Sequence, residues 1–402
     1  MSKLQYSIKH IAQILKGKAF LRNPNAIIEK LLTDSRTIVN PAESLFFAFS
    51  AQRNGHEFIG HAYQSGVRNF VVSDESYAQK YEDANFIRVD NVLKALQELV
   101  SDHRTQFDLP IIGITGSNGK TIVKEWLYQL LAADFNITRS PKSFNSQIGV
   151  PLSVWQINEG HTLGIFEAGI SKSEEMKALA KIIRPTIGIL TNIGEAHAAG
   201  FNSKAEKLKE KLKLFDDVEL FIYAPEYTFE LATSELPGKR KFSWSTKEQA
   251  DLQIQHIDAR GELSYLEASY LGVQINCTIP FTDKAAVENA IICWATLLAL
   301  NYSPQEASAR LLKLAGVNMR LALINGIDNC SVIDDSYSAD ISSLAIALDF
   351  LNLQNQHPKK TLILSDLYET GKNAAELYAE IAALLRQKKV DRLIGIGRDI
   401  AT

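Results

Sequence analysis

The chain has 402 residues, of which 46% are hydrophobic and 22% are charged, and its formal net charge is -3 at pH 7. This length predicts two or three domains, each able to bury its own core. The composition is ordinary for a soluble globular protein, and the charge gives no support for a nucleic-acid-binding surface. No apolar run reaches 18 residues, so the sequence predicts no membrane insertion and favours a cytoplasmic protein.

The chain begins with a mixed α/β unit, residues 1–108, in which strands are predicted at 46–49 and 70–73 and a helix at 92–103. Residues 109–313 then alternate strand and helix, which favours an α/β domain with a parallel, doubly wound sheet. Its predicted strands are 111–114, 163–167, 187–191 and 220–224, and its predicted helices are 121–133, 173–183, 203–215 and 285–300. Period-2 runs within 240–280 predict an antiparallel excursion.

The last unit, residues 314–402, is again α/β. Strands are predicted at 330–333, 361–364 and 392–396, and helices at 342–353 and 374–388. A doubly wound domain normally needs more strands. We therefore expect an incomplete domain, in a shortened chain or in part of a longer polypeptide. The three cysteines, Cys277, Cys293 and Cys330, have no metal-type spacing, which predicts core packing in a reducing compartment.

The most informative segment is Ile111-Ile-Gly-Ile-Thr-Gly-Ser-Asn-Gly-Lys120-Thr121, where a β-branched run leads through a glycine-rich turn into a helix. In such a turn, backbone N–H groups can converge on phosphate oxygens. The groups expected to do so belong to Gly116, Ser117, Asn118 and Gly119. Lys120 would reach the β- and γ-phosphates, and the Thr121 hydroxyl would bind Mg²⁺. Ile114 departs from a strict Walker A motif, but the context still predicts a nucleoside-triphosphate site.

Polar groups also follow two other predicted strands of the central domain. Glu167 ends one strand, and His197 lies six residues beyond another, whose end is followed by Asn192. A carboxylate and an imidazole that converge near a triphosphate would suit a metal ion. A helix-capping carboxylate and a structural histidine are the alternative interpretations.

Lys211 is expected on the inner face of its helix, because it lies three residues after Leu208 and four before Phe215. Lys207, Lys209 and Lys213 have less or no claim to that face. Burial lowers the pKa of a lysine, so a neutral Lys211 amine could react with CO₂ and give a carbamate, which is an anionic metal ligand. A solvated lysine is the alternative.

Three further segments are candidate substrate contacts. The first contains Ser35 and Arg36, with Asn54 and His56 downstream, and Arg36 could clamp a phosphate or form a solvated ion pair with its neighbour. The second is a loop that contains Asn145. In the last unit, Asp335 and Tyr337 follow a predicted strand and would face the nucleotide if the two sheets oppose each other across a cleft.

These motifs in this order resemble the Mur ligases, ATP-dependent amide-forming enzymes of peptidoglycan precursor synthesis. The resemblance runs from about residue 30 to the end of the chain. It is most specific at Gly113–Thr121, Asn145–Pro151, Glu167–Gly169, Asn192–His197, Lys211, Asn289, Arg320 and Asp334–Ser338. Departures from the family pattern at Ser146, Ala285, Lys213 and Asp340 remove no proposed catalytic group.

The resemblance implies three domains: an N-terminal one for a UDP-sugar, a central ATPase, and a C-terminal dinucleotide-fold domain. It implies that Lys120 and Thr121 hold ATP and one Mg²⁺, and that Glu167, His197 and carbamylated Lys211 surround a second Mg²⁺. Asn289 would contact adenine, and Arg320 and Asp335 would complete the nucleotide site. Ser35, Arg36, Asn54 and His56 would help to hold the uridine diphosphate, while Asn145 and Tyr337 would contact the peptide substrates.

Within the family, Asp334-Asp335-Ser336-Tyr337 favours members that add D-alanyl-D-alanine to UDP-N-acetylmuramoyl-tripeptide over those that add diaminopimelate or lysine. A folylpolyglutamate synthase-like ligase shares the ATPase core, but residues 1–107 argue against it. A non-catalytic nucleotide-binding scaffold is the alternative outside the enzymes. Similar ligase modules occur fused to an alanine racemase, which is one expectation for a chain that continues beyond Thr402.

Overall fold

The computed structural model describes most residues of the chain. They are 5–50, 54–194, 201, 203–228, 231, 233–317, 322–327, 330–336, 340–353, 357, 359–367 and 373–400. The chain divides into two compact units. The first contains Met1–Ile111, Asn136–Phe166 and Ala178–Arg184, and the second contains Ile112–Phe135, Glu167–Lys177 and Pro185–Thr402.

Helices and strands alternate along most of the chain. The helices are α1 Ile8–Leu15, α2 Ile59–Gln64, α3 Ser76–Lys80, α4 Val92–Thr105, α5 Lys120–Leu131, α6 Gly149–Val154, α7 Met176–Ile183, α8 Lys204–Leu212, α9 Lys284–Ala299, α10 Pro304–Leu311, α11 Ile341–Leu353 and α12 Ala374–Gln387. The strands are β1 Tyr6–Ser7, β2 Lys18–Phe20, β3 Ile27–Ile28, β4 Lys30–Leu32, β5 Ser44–Phe47, β6 Asn69–Val72, β7 Asn85–Arg88, β8 Ile111–Thr115, β9 Ile137–Arg139, β10 Leu163–Glu167, β11 Ile187–Leu190, β12 Leu220–Tyr223, β13 Arg240–Ser245, β14 Leu252–Arg260, β15 Leu263–Tyr270, β16 Val273–Ile279, β17 Ala322–Asn325, β18 Ser331–Asp334, β19 Thr361–Ser365 and β20 Arg392–Ile396.

The first unit is built around a five-stranded sheet of order β2-β7-β6-β5-β4. Its strands β4 to β7 run parallel, and β2 is antiparallel to β7. Aromatic side chains fill its core, where Phe70 lies between Phe46 and Phe86 with ring centroids 6.2 and 5.0 Å away. The predicted mixed α/β unit is confirmed, although the strand expected at 46–49 begins two residues earlier.

The largest sheet has the order β16-β15-β14-β13-β12-β11-β8-β10-β9. The pairs β9–β10, β8–β11, β11–β12, β12–β13 and β13–β14 are parallel, for example with Gly188 of β11 opposite Gly113 of β8. The chain leaves β8 toward β9 and β10 on one side and then crosses to β11 on the other. Because strand order reverses at β8, the carboxyl end of β8 is the position where such sheets bind ligands.

The antiparallel excursion is confirmed by β14, β15 and β16. Helix α9 follows, and it is capped by Asp283, whose side chain accepts a hydrogen bond from the Ala286 N–H. Its residues are apolar on every side, and nearly all of them are buried, as expected for a helix inside the core.

The last part of the chain contains an antiparallel pair, β17 with β18, and a parallel pair, β19 with β20. Helices α11 and α12 contribute Leu344, Leu348 and Ile381 to its core. Within the described residues, these pairs are the sheets of this region, in line with the small number of strands predicted there.

Two expectations need correction. Residues 143–151 were expected to be a loop. Asn145 does lie outside helices and strands, but α6 begins at Gly149, whose N–H donates to Ser146 Oγ at 3.1 Å. Cys277 and Cys293 are buried as expected, whereas Cys330 is exposed because it lies in a turn of the β17–β18 pair. Among the described helices, none is long and apolar enough to cross a membrane.

Candidate functional site

The glycine-rich turn joins the carboxyl end of β8 to the first turn of α5. All five residues of β8 are buried, and the turn comprises Gly116 to Gly119. Gly116 and Gly119 have φ values of +148° and +81°, which favour glycine. A Cβ at Gly116 would collide with Thr191 Oγ1, and one at Gly119 would collide with Asn289 Oδ1. The turn therefore needs glycine at both positions.

Residues that follow β11 hold this turn in place. The N–H groups of Ser117 and Asn118 donate to the backbone and side-chain oxygens of Asn192, at 2.8 and 2.9 Å. Thr191 Oγ1 donates to the Asn118 carbonyl at 2.6 Å, and the Gly194 N–H donates to Ser117 Oγ at 2.8 Å. Asn192, expected beside the phosphate site, is thus part of its frame.

Two lysines converge on the carbonyl of Gly116. Lys120 Nζ donates to the Gly116 and Ser117 carbonyls at 2.9 and 2.8 Å, and Lys211 Nζ donates to Gly116 at 3.0 Å. Lys211 is buried, with 2% of its surface exposed. Burial holds the pKa of Lys211 well below its usual value, and the charges of Lys120 and Lys207 lower it further. The prediction that Lys211 lies on the inner face of α8 is confirmed.

The prediction for Lys207 is wrong. Lys207 is buried, with 3% exposed, and its Nζ donates to the Gly194 carbonyl at 2.7 Å. It lies four residues before Lys211, so the two lysines share the inward face of the helix. Helix α8 starts at a capping box in which Ser203 Oγ accepts the Glu206 N–H.

Thr121 and Glu167 meet beside the turn. The Thr121 hydroxyl donates to Glu167 Oε2 at 3.0 Å, and Glu167 is fully buried at the end of β10. Lys124, also fully buried, lies one helical turn along α5, and its Nζ is 3.2 Å from Glu167 Oε1. Lys124 was missed from the sequence. It lies three residues after Thr121 and three before the buried Leu127, and this helical spacing could have placed it on the inner face of α5.

Asn289 and the last part of the chain also reach the turn. Asn289, on α9, is 4% exposed and its Oδ1 lies against Gly119. Ser343, at the start of α11, contacts Asn118 Oδ1 through its Oγ at 3.4 Å and also bonds to Asp340, which caps the helix. Ser343 was not anticipated, since nothing local marks a serine in a first helical turn.

Other site residues are placed less directly. Asp335 follows β18 and is partly buried, and neighbouring Asp334 has its pKa lowered by hydrogen bonds from Ser336. His197, Arg320 and Tyr337 lie outside the described residues.

Within the first unit, Arg36 forms an ion pair with Asp34, Nη2 to Oδ2 at 2.6 Å, and the Arg36 side chain is 82% exposed. Hydrogen bonds from Arg36 lower the pKa of Asp34 to about 2. Ser35 between them is buried. The turn therefore has the solvated ion pair that was one of its two interpretations, and the guanidinium remains accessible from solvent.

His56 is buried between Asn54 and Ser73. Its Nε2 accepts the Ser73 N–H at 3.1 Å, and its Nδ1 lies 2.9 Å from Asn54 Oδ1, which makes Nδ1 the protonated nitrogen. Burial lowers the pKa of His56. Asn54 and His56 therefore meet, and they organise the short helical turn Gly55–Phe58.

A cleft of about 1270 Å³ lies within the first unit. Asp34 and Thr37 line it beside the Arg36 turn, together with Arg139 and Phe144 from the segment that leads to Asn145. Asn145 itself is partly buried just before α6. This volume is large enough for an extended ligand, and the lining combines apolar, aromatic and charged side chains.

Comparison with known proteins agrees with this geometry. The Mur ligase middle domain matches residues 114–297, which contain the glycine-rich turn, Glu167, Lys211 and Asn289. A relative is the UDP-N-acetylmuramoyl-tripeptide–D-alanyl-D-alanine ligase of Bacillus subtilis (strain 168). It is 28% identical over 402 residues, which cover 98% of this chain and 86% of the relative.

Two solved structures share the fold. One is MurF from Acinetobacter baumannii, with a TM-score of 0.83 and 22% sequence identity. The match covers 100% of this chain and 88% of the MurF chain. The other is MurF ligase from Thermotoga maritima in complex with ADP, with a TM-score of 0.73 and 19% sequence identity. The match covers 92% of this chain and 88% of that chain. Fold, motif order and the match at residues 114–297 agree, and the chain contains a Mur ligase middle domain.

Proposed function

We propose that this chain is an ATP-dependent ligase that joins D-alanyl-D-alanine to UDP-N-acetylmuramoyl-tripeptide and releases ADP and phosphate. The observation that carries the proposal is the meeting of Lys120, Thr121 and Glu167 at one glycine-rich turn. The name of the Bacillus subtilis relative supports the choice of substrates. The ADP in the Thermotoga maritima structure supports a nucleotide. A cytoplasmic location belongs to the same proposal, because ATP is available there.

The turn would bind the phosphates of ATP. Lys120 now donates to carbonyls of its own loop, and its flexible side chain can exchange them for phosphate oxygens. The N-terminus of α5 adds a favourable dipole for anions. Asn289, next to Gly119, is assigned to adenine, and Arg320 and Asp335 are assigned to the remaining nucleotide contacts.

Two Mg²⁺ ions are part of the proposal. Thr121 Oγ1 and Glu167 Oε2 are 3.0 Å apart, and such hard oxygen donors suit Mg²⁺. His197 would be a further ligand. Bound Mg²⁺ would supply positive charge that lowers the repulsion between the anionic reactants.

A carbamate on Lys211 would add a carboxylate-like ligand to this set. The buried amine, with its lowered pKa, is suited to bond to the carbon of CO₂ and lose one proton.

The reaction requires a poor electrophile, a carboxylate, to be activated. The terminal carboxylate oxygen of the tripeptide attacks the γ-phosphorus of ATP, the bond to ADP breaks, and an acyl phosphate forms. The amine of D-alanyl-D-alanine then attacks the acyl carbon, loses a proton, and phosphate leaves. Because two anions approach each other in the first step, charge neutralisation by Lys120 and alignment by the turn supply most of the catalysis.

The peptide and UDP-sugar contacts are assigned by residue and by domain. Ser35, Arg36, Asn54 and His56 would hold the uridine diphosphate end, with the exposed Arg36 guanidinium suited to a phosphate. Asn145 and Tyr337 would contact the peptides. We retain the division into 1–108 for the UDP-sugar, 109–313 for ATP and 314–402 for the C-terminal ligase domain.

ADP release from the purified chain tests the proposal and separates it from its alternatives. We expect release with UDP-N-acetylmuramoyl-tripeptide only when D-alanyl-D-alanine is present. A diaminopimelate- or lysine-adding ligase would instead use the dipeptide precursor with that amino acid, and a folylpolyglutamate synthase-like ligase would use a folate with glutamate. ADP binding without any turnover would favour a scaffold.

A matched pair of variants controls this assay. Lys120→Met should abolish ADP release, whereas Lys204→Met, which removes an exposed lysine at the start of α8, should leave it unchanged. Full activity in Lys120→Met would contradict the assigned phosphate site.

A further inference from the structure

Lys207 is a buried lysine that the proposed reaction does not use. It lies on α8 with 3% of its surface exposed, one helical turn before Lys211. A buried ammonium needs hydrogen-bond partners, because its desolvation is otherwise very unfavourable. The partners of Lys207 therefore indicate what the side chain stabilises.

The Lys207 ammonium bonds to a peptide that is itself fastened to the phosphate loop. Its Nζ donates to the Gly194 carbonyl at 2.7 Å. The Gly194 N–H donates to Ser117 Oγ at 2.8 Å, and that hydroxyl lies 3.3 Å from the Gly194 carbonyl. Lys207, Gly194 and Ser117 thus form a continuous chain of hydrogen bonds from α8 to the turn.

The same connection fixes the backbone of the turn. The Ser117 N–H donates to Asn192, which is two residues before Gly194. Lys211, one turn further along α8, reaches the Gly116 carbonyl directly. Helix α8 therefore reaches the turn at two points: the Gly116 carbonyl through Lys211, and the Ser117 hydroxyl through Lys207 and Gly194.

We propose that Lys207 is a positioning residue for nucleotide binding, which fixes Gly194 against Ser117 and so keeps the phosphate loop in the shape that receives the phosphates. The inference rests on the nucleotide-binding part of the proposed function. A hydrogen bond from a charged donor is stronger than a neutral one, so this bond is well suited to restrain a glycine-containing connection. Preformed geometry in turn reduces the ordering cost of binding.

The test measures the affinity of the purified chain for ADP by calorimetry. Lys207→Met should weaken ADP binding about 10-fold, the size expected for losing one charged hydrogen bond. Lys207→Arg keeps a charged donor and should stay within about 3-fold of the wild type. Lys209→Met is the matched control, because it removes the same charge from an exposed position two residues away.

Salt separates positioning from general electrostatics. At 1 M salt the screening length falls to about 3 Å, so a diffuse charge effect disappears while a buried hydrogen bond persists. The 10-fold loss in Lys207→Met should therefore remain. Equal affinities for Lys207→Met and Lys209→Met, or a loss that vanishes in high salt, would overturn the proposal.

A double-mutant cycle tests the route through Ser117. If Lys207 acts on the nucleotide only through Gly194 and Ser117, Lys207→Met combined with Ser117→Ala should bind ADP about as weakly as the weaker single variant. Additive losses would contradict that route. Thermal unfolding of every variant is recorded alongside, and a fall in Tm with unchanged ADP affinity would reduce Lys207 to a structural residue.

The two proposals fail in different ways. A wild-type chain that binds ADP but joins no dipeptide would contradict the proposed ligase and leave the Lys207 test intact. A wild-type chain that ligates normally, with Lys207→Met indistinguishable from Lys209→Met in ADP affinity, would contradict the role of Lys207 alone.

Discussion

The buried ion pair between Lys124 and Glu167 gives the sharpest prediction about stability. Both side chains are completely buried, and Lys124 Nζ lies 3.2 Å from Glu167 Oε1. Replacing Lys124 by methionine keeps roughly the length and volume of the side chain but removes the ammonium group beside Glu167. This group also lies 3.1 Å from Glu125 Oε1. A charge that is buried in this way is far from water and has little chance of replacing a lost partner.

The expected loss follows from the burial. Removing one partner of a buried ion pair costs about 3–5 kcal/mol. Thr121 still donates to Glu167, at 3.0 Å, so the carboxylate keeps hydrogen bonding and the lower limit applies. About 3 kcal/mol corresponds to a fall in Tm of roughly 6–12 °C for a folding unit of 150–250 residues.

Scanning calorimetry of four proteins provides the measurement. These are the wild type, Lys124→Met, the double variant Lys124→Met with Glu167→Gln, and Lys177→Met. The double variant buries no net charge and should regain most of the lost Tm. Lys177 pairs with Glu174 at 3.4 Å on the surface, and such pairs contribute at most about 1 kcal/mol, so this control should shift little.

Two results would refute the reasoning. A Lys124→Met protein with the Tm of the Lys177→Met control would mean that Glu167 needs no buried cation. A double variant no more stable than Lys124→Met would mean that the loss comes from packing around the lysine stem and not from an unpaired charge. In either case the account of how Glu167 is held would need replacement.

Three further predictions concern other positions. Lys211→Ala should lose most ligase activity in ADP-release assays, and a short carboxylic acid should restore part of it; full activity without the acid would exclude a carbamate role. Gly119→Ala should weaken ADP binding at least 10-fold in calorimetry because its Cβ meets Asn289, whereas Gly261→Ala, also at positive φ (+62°) but with open space around it, should bind ADP normally. Equal losses of ADP affinity in the two variants would contradict a specific role for the contact with Asn289. Burial lowers the pKa of His103 from 6.5 to about 4, so the unfolded chain binds the extra proton between these values. Stability should therefore be lost as pH falls through this window, by about 3 kcal/mol in urea titrations, and His103→Gln should remove that loss.

Much of this architecture could be predicted because the strongest patterns were local. The β-branched run before the glycine-rich turn, the alternation that followed it and the period-2 runs near residue 260 each identified their elements correctly. Lys211 was found because an apolar stripe fixes the phase of its helix. Glu167 and the glycine-rich turn were expected near each other because both lie at the carboxyl ends of strands of one parallel sheet, whereas the contact between Thr121 and Glu167 was not predicted.

The omissions arose where a residue's environment is set by another part of the chain. Lys124 and Lys207 are lysines on helix faces, and a face becomes interior only when a sheet or a turn packs against it. Ser343 meets Asn118 across more than 200 positions of sequence, a contact that no local pattern encodes. Short elements such as α6 were also missed, because six residues contain too little periodicity to distinguish a helix from a turn.

The concentration of ammonium groups around the turn is unfavourable for the protein alone. Lys120 and Lys211 both bond to the carbonyl of Gly116, and Lys207 bonds to the adjoining segment. Repulsion from the charges of Lys120 and Lys207 opposes folding and lowers the pKa of Lys211. Carbonyl oxygens offset this repulsion only in part, since they carry partial charges. A bound triphosphate would add negative charge beside these lysines, so nucleotide binding should stabilise the folded chain. At a free concentration of 100 times its Kd, ADP would add about 2.7 kcal/mol to the free energy of unfolding. A bound anion would reduce the repulsion between these lysines. The same repulsion that opposes folding of the protein alone therefore favours binding of an anion.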